Sequence, residues 1–320
     1  MKRLVSLLAF VMVLNGCDDG NLTTETIDFG TVAVQSCSAN NLLYKLNSQE
    51  ALILEFPKTT FLNEPTVTGT PLLYDLNNTD KRLVYRFYNG AIVADNICNI
   101  IPPATPIVNN QWTATSGTIQ VITTSVTKEG TITGSTIITG YKHNIAFKNI
   151  TFDKGNGTTV KYESYPFGDY ETAATNLPFG FDKTVEQCST SKQIYNYTSS
   201  EALTLDNIDA TLIQSSETPL NTPRKALLSA TKNKLIYRLY NGLITSAYFC
   251  NATIPQLPTF SEEWVGVNGV VGVSGTVSVT TVKVGTAYKH TITLENVTLT
   301  NGKSSFKLGD NFIYGDLLTN

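Results

Sequence analysis

The sequence predicts an all-β protein: two tandem, homologous antiparallel β-sandwich domains. Three observations carry that expectation. The first is duplication. Leu83-Val-Tyr-Arg-Phe-Tyr-Asn-Gly-Ala-Ile-Val-Ala-Asp-Asn-Ile-Cys98-Asn99 returns as Leu235-Ile-Tyr-Arg-Leu-Tyr-Asn-Gly-Leu-Ile-Thr-Ser-Ala-Tyr-Phe-Cys250-Asn251, with nine of 17 positions identical at an offset of 152, so the two blocks descend from one unit. The second is composition. Hydrophobic residues are 41% of the 320 and charged residues only 15%, with Thr, Val, Ile and Tyr abundant, which suits a half-buried pleated surface better than a helix. The third is patterning: short alternating runs are divided by Gly, Pro and Asn. Each copy is long enough to close its own core, and two copies do not make a solenoid.

The N-terminus stands apart from this plan. Lys2 and Arg3 precede an apolar run, Leu4 to Leu14, that is too short to span a bilayer. It ends in Leu14-Asn15-Gly16-Cys17. This quartet resembles the lipobox of bacterial lipoproteins, and the following Asp18-Asp19-Gly20 resembles the start of Bacteroidota-type cell-surface lipoproteins. The resemblance implies a signal peptide over 1–16, lipid on Cys17, and a tether over 17–26. Acyl chains on Cys17 would make membrane attachment stable. Acidic residues directly after the cysteine imply export to the outer leaflet in that group, whereas in enterobacterial lipoproteins they imply inner-membrane retention. The expected location is the cell envelope, at the outer membrane and surface-exposed. The resemblance brings no activity with it.

The first repeat is expected over 27–172, a linker over 173–178 and the second repeat over 179–320. Ser36 to Leu54 matches Gln187 to Leu205, and Leu43 to Leu46 and Ala51 to Phe56 read as strands. Leu83 to Tyr88 alternates as a strand. Asn89-Gly90 then predicts a type I′ turn, with Ala91 to Cys98 as the return strand, and Asn241-Gly242 repeats the signal. Pro-rich loops at 101–106 and 254–258 lead to Trp112 and Trp264. Ser116 to Thr124 matches Ser274 to Val282 after a six-residue insertion, and both alternate as strands. Tyr141 to Thr151 matches Tyr288 to Thr298. A last strand ends at Phe167-Gly-Asp169 and at Tyr314-Gly-Asp316. Thr172 to Pro178 is small, polar and proline-terminated, as a linker should be.

Cys37 and Cys98 lie 61 residues apart, and Cys188 and Cys250 lie 62 apart. The repeat makes pairing within each copy the expectation, in an oxidising compartment. No CxxC occurs and there are two histidines, so neither metal nor cofactor is expected.

The remaining candidates occur once per copy. His143 and His290 share the motif Tyr-Lys-His and are candidates for a base or ligand, or for residues packed within a strand. Arg86 with Glu50, and Arg238 with Glu201, read as Glu–Arg pairs joining strands, with ligand contact by the arginines as the alternative. Asp169 and Asp316 read as turn residues rather than glycosidase carboxylates. Asp75 to Asp80 lacks the glycine and terminal acid of a calcium loop. Trp112 and Trp264 read as core residues, with a sugar-stacking platform as the alternative.

Removing Lys2 and Arg3 leaves 21 basic against 26 acidic residues, a net charge of −5. The basic residues are scattered, which excludes nucleic-acid binding. Three functions stay open: a non-catalytic binding or structural module, a glycan-binding accessory protein, and an envelope hydrolase using His143 or His290. The expected partners are the membrane through Cys17, and envelope proteins or glycans.

Overall fold

The computed structural model describes residues 26–320 other than 252 and 254. The signal peptide and Cys17, with all of the tether but Thr26, lie outside the described residues. The fold is all-β, with two antiparallel sheets, one per repeat. Repeat 1 contributes β1 (Gln35–Ser36), β2 (Leu42–Asn47), β3 (Glu50–Glu55), β4 (Leu72–Asp75), β5 (Arg82–Tyr88), β6 (Val108–Glu129), β7 (Thr136–Asp153) and β8 (Thr159–Ala173). Their order is β1-β2-β3-β5-β6-β7-β8, with β4 also on β6.

One long strand joins the two layers. The first part of β6 pairs with β5 up to Thr113, and a later part pairs with β4 from Thr118. Between them the register shifts and Gly117 takes φ +139°, where a Cβ would stand 3.1 Å from the Ile150 Cα. Glycine is needed here both for its φ and for the close approach. The sheet thereby folds over itself. A single core takes Leu43, Leu52 and Leu83 from one end and Ile145, Phe147 and Phe167 from the other.

Repeat 2 has β9 (Glu186–Gln187), β10 (Ile194–Tyr197), β11 (Glu201–Asp206), β12 (Arg224–Leu227), β13 (Lys234–Tyr240), β14 (Phe260–Gly266), β15 (Thr276–Val284), β16 (Ala287–Asn301) and β17 (Ser304–Thr319). The same plan recurs with one break. The counterpart of β6 is split into β14 and β15 by a loop over 267–275 that takes up the six inserted residues. Gly275 holds the place of Gly117, at φ +68°, and a Cβ there would lie 2.5 Å from the Gly269 Cα.

Strands β2, β3 and β5 are covered on both faces. Leu43, Leu52, Leu54 and Leu83 face the main core, while Tyr44, Ala51, Ile53 and Tyr88 belong to a second cluster with Ile92 and Ile97. The disulfides, Cys37–Cys98 and Cys188–Cys250, pin the covering segment in each repeat. This corrects the expected hairpin. None of Asn89, Gly90, Asn241 and Gly242 takes the positive φ of a type I′ turn. Residues 91–98 are not a strand but a loop ending in a helical turn, Asp95–Cys98. The Ile92 N–H instead reaches Ser48 O at 3.0 Å, and Asn89 N–H bonds Ile107 O at 3.0 Å. Burial of Ile92 and Ile97 over the sheet outweighs the local turn preference. Gly90 and Gly242 serve the packing of Pro106 and Pro258, whose Cβ atoms would lie 3.4 and 3.1 Å from an added Cβ.

The last strands also run on. Gly168 and Gly315 lie inside β8 and β17, not at strand-end turns. Phe167 and Tyr314 are the extra residues of β-bulges, skipped between Gly168 and Pro166 and between Gly315 and Ile313. Each bulge turns its aromatic inward, and the buried Tyr314 hydroxyl donates to the Ile194 and Leu203 carbonyls at 2.8 Å. Asp169 and Asp316 form cross-strand ion pairs with Lys142 and Lys289 at 3.4 and 3.5 Å.

Two stability predictions follow from this architecture. In urea unfolding, Cys188→Ser combined with Cys250→Ser should lower the unfolding free energy by about 4 kcal/mol, from the loop released; an unchanged midpoint would contradict the staple. Gly272→Ala, at φ +72° with open space around it, should cost about 1 kcal/mol, the penalty of a Cβ in the left-handed region. Gly275→Ala should cost clearly more, and equal losses would refute the close-approach argument.

Candidate functional site

Most residues shared by the repeats are absorbed by the scaffold. His143 and His290 have 0% exposure. His143 Nδ1 lies 2.8 Å from Thr123 Oγ1 and its Nε2 lies 3.0 Å from Thr172 Oγ1. His290 repeats this with Thr281 at 2.8 Å and Thr319 at 2.9 Å. Thr172 donates its own proton to Asn63 Oδ1, and Thr281 Oγ1 accepts from Arg224. The Thr172 bond assigns the His143 tautomer, since a hydroxyl that has given its one proton to Asn63 must accept from the ring: Nε2 donates to Thr172 and Nδ1 accepts from Thr123. Burial pushes the His143 pKa down to about 4. Burial and the Arg224 charge lower that of His290. Both rings are therefore neutral structural ties between strands.

The expected Glu–Arg pairs do not form. In the register, Glu50 faces Phe87 and Ala51 faces Arg86, and Glu201 faces Leu239 while Ala202 faces Arg238. Alternation then sends glutamate and arginine to opposite faces. The glutamates meet tyrosines instead: Tyr85 and Tyr237 donate to Glu50 and Glu201, each at 2.7 Å. Glu201, only 1% exposed, also accepts from the N–H groups of Phe179 and Gly180 at 3.0 and 2.7 Å. Arg86 donates to Gln111 at 2.9 Å, and Arg238 pairs with Glu263 at 2.7 Å.

Trp112 and Trp264 are 2% and 5% exposed, so neither offers the open face of a stacking platform. Their surroundings differ, however. The Lys154 ammonium sits 4.2 Å over the Trp112 ring. Trp264 packs edgewise against Phe306 at 5.0 Å and forms part of a cavity wall.

That cavity, of about 280 Å³, lies where the repeats meet. Repeat 1 contributes Glu64, Ile138 and Tyr141; the connecting segment contributes Leu177 and Phe179; repeat 2 contributes Glu262, Trp264 and Phe306. The junction is held by a buried Tyr141 hydroxyl contact to Ser304 at 2.9 Å. Backbone N–H groups of Lys307, Asp310 and Lys303 bond Thr136 Oγ1, Thr133 O and Glu64 at 2.9, 2.8 and 3.0 Å. The connecting segment is itself anchored: Phe179 stacks on Tyr237 at 4.4 Å, next to Glu201. Burial raises the Tyr141 phenol pKa, and the Glu262 and Glu64 charges raise it further. The cavity thus combines aromatic walls with a negative field, at the kind of junction where ligand sites occur.

No family model matches the sequence, no curated protein matches it, and no solved structure matches the fold.

The threonines that clamp the histidines, and every lining residue other than Trp264, escape the residue-level reading. The available signal for the cavity is where the copies disagree. Register aligns Asn110 with Glu262, and places Asn301 at the position of Lys154.

Loss of Glu201 should be severe. Glu201→Ala leaves the buried Tyr237 hydroxyl and the N–H groups of Phe179 and Gly180 without their acceptor and should cost about 3 kcal/mol, with Glu201→Gln milder; equal, small losses would show that the carboxylate is not a hub. The histidines set a pH dependence. Below pH 6.5 the unfolded chain takes up a proton that the folded ring refuses, so unfolding free energy should fall with pH, levelling near pH 4 for His143. His143→Gln should flatten the slope of stability against pH over that window, and an unchanged slope would contradict it.

Proposed function

We propose that this chain is a lipid-anchored protein of the bacterial cell envelope, held at the outer membrane through Cys17 and surface-exposed. It acts as a non-catalytic binding module whose site is the cavity between the repeats. The cavity carries the reading: it exists only because two copies meet, and its lining is drawn mostly from residues that differ between them. Duplication supplies rigid walls, and divergence supplies the chemistry. The lipobox-like Leu14-Asn15-Gly16-Cys17 supports the anchor. Histidine-based hydrolysis finds no support in His143 and His290, whose rings are enclosed. A glycan ligand is a second reading, favoured by the hydrogen-bonding carboxylate of Glu262 and amide of Asn301 in the wall.

Two measurements test the two halves. Cys17→Ser should abolish metabolic labelling with palmitate and move the protein out of the membrane fraction; retention there without label would refute the anchor. A fragment library screened by ligand-detected NMR should give ligands that Ala174→Trp, which fills the cavity, displaces. Ligands indifferent to that change would refute the site.

A further inference from the structure

We infer that the junction cavity receives an alkylammonium group, seated against Trp264 and Glu262. This rests on the proposed binding role of the cavity and names its ligand class.

The first support is internal to the molecule. Both repeats place a tryptophan at the same point of the sheet, Trp112 opposite Tyr85 and Trp264 opposite Tyr237. Repeat 1 supplies its own cation there: Lys154 Nζ stands 4.2 Å over the Trp112 ring. Thr113 pairs with Asp153, and Val265 with Thr300, so the residue in the place of Lys154 is Asn301. Repeat 2 has therefore lost the chain's own ammonium at this tryptophan. An ammonium near an aromatic ring is attracted by the ring quadrupole, more strongly where water is excluded.

The second support is charge. The residue facing Phe87 in repeat 1 is Asn110, and the residue facing Leu239 in repeat 2 is Glu262. Where the cation has gone, a carboxylate has come. Glu262 accepts from Thr175 at 2.7 Å, from Trp264 Nε1 at 3.2 Å and from Asn301 at 3.3 Å. These donors are neutral; they orient the carboxylate without cancelling its charge. Glu64, also in the lining, adds a second carboxylate with the Lys303 ammonium at 3.8 Å. Gly302 permits that approach, since a Cβ there would lie 2.7 Å from Glu64 Oε1.

The third support is shape. The site is a cavity of about 280 Å³ walled by Tyr141, Phe179, Trp264 and Phe306, not an exposed acidic patch. Apolar walls suit the methylene stem of an alkylamine while its head meets the carboxylates. The same group is presented by a small diamine and by a lysine side chain of a peptide.

Isothermal titration of the full chain tests this. The probes are 1,5-diaminopentane, an acetylated and amidated lysine-containing tripeptide, 1-pentanol and glucose. An amine should bind, 1-pentanol should not, and Glu262→Gln should weaken the amine at least tenfold with an unchanged melting temperature. Binding of the diamine alone identifies a free amine, and binding of the peptide identifies a lysine side chain. Asn301→Lys restores the internal cation of repeat 1. It should abolish amine binding while leaving the fold as stable or more so, which separates loss of the site from loss of folding. Amine binding unchanged by both variants, or no amine binding, overturns the inference. Glucose binding blocked by Ala174→Trp would overturn the ligand class and leave the cavity standing as a site. If no library ligand is sensitive to Ala174→Trp either, the binding role of the cavity fails as well.

Discussion

A sheet with two apolar faces must be covered twice, and the rest of each repeat follows from that constraint. Strands β2, β3 and β5 of repeat 1, and β10, β11 and β13 of repeat 2, carry large side chains on both faces. One face is covered by the sheet itself, which bends at Gly117 or Gly275 and brings its far strands back over the near ones. The other is covered by the segment after β5 or β13, which has little regular structure of its own. A cysteine at its end fastens it to the sheet. The disulfide therefore does more than shorten the unfolded chain. It holds a small second core in place against a backbone that has few ladder hydrogen bonds.

The two repeats spend their shared residues on this plan. Threonine hydroxyls hold both rings of His143 and His290, and tyrosine hydroxyls bind Glu50 and Glu201. Where the copies part company, the differences gather at the junction. Glu201 accepts from the connecting segment as well as from Tyr237, so that segment becomes a wall. Asn301 replaces an ammonium, and Glu262 replaces an amide. Away from the junction, six inserted residues lengthen the loop over 267–275 that splits the long bent strand of repeat 2. Divergence on a conserved frame is how a duplicated domain acquires a site without disturbing its cores.

The fold was largely legible in the chain because its signals are local and doubled. Alternation marked the strands, and matched cysteines gave the pairing. The hairpin at Asn89-Gly90 was misread because a two-residue turn preference is small beside the burial of Ile92 and Ile97, which depends on distant strands. The partner of Glu50 was misread because matched residues in a block need not share a face; the register decides, and it sets glutamate with tyrosine. Phe167 and Tyr314 face inward because of a bulge that alternation alone does not reveal. The cavity was the least legible feature, since it depends on how β7 of one repeat meets β17 of the other. Only the substitutions at aligned positions, Asn110 with Glu262 and Lys154 with Asn301, carried any trace of it in the sequence.

The central claim is that shared residues build the scaffold and divergent residues at the junction build the site. Hydrogen–deuterium exchange of the full chain with and without 1,5-diaminopentane tests it most directly. The account predicts added protection confined to the cavity's walls, 63–64, 136–141, 174–181, 260–266 and 301–306, with the segments 83–99 and 235–251 unchanged. Protection centred on those two shared segments instead would contradict it, and would move the site to the faces that the repeats have in common.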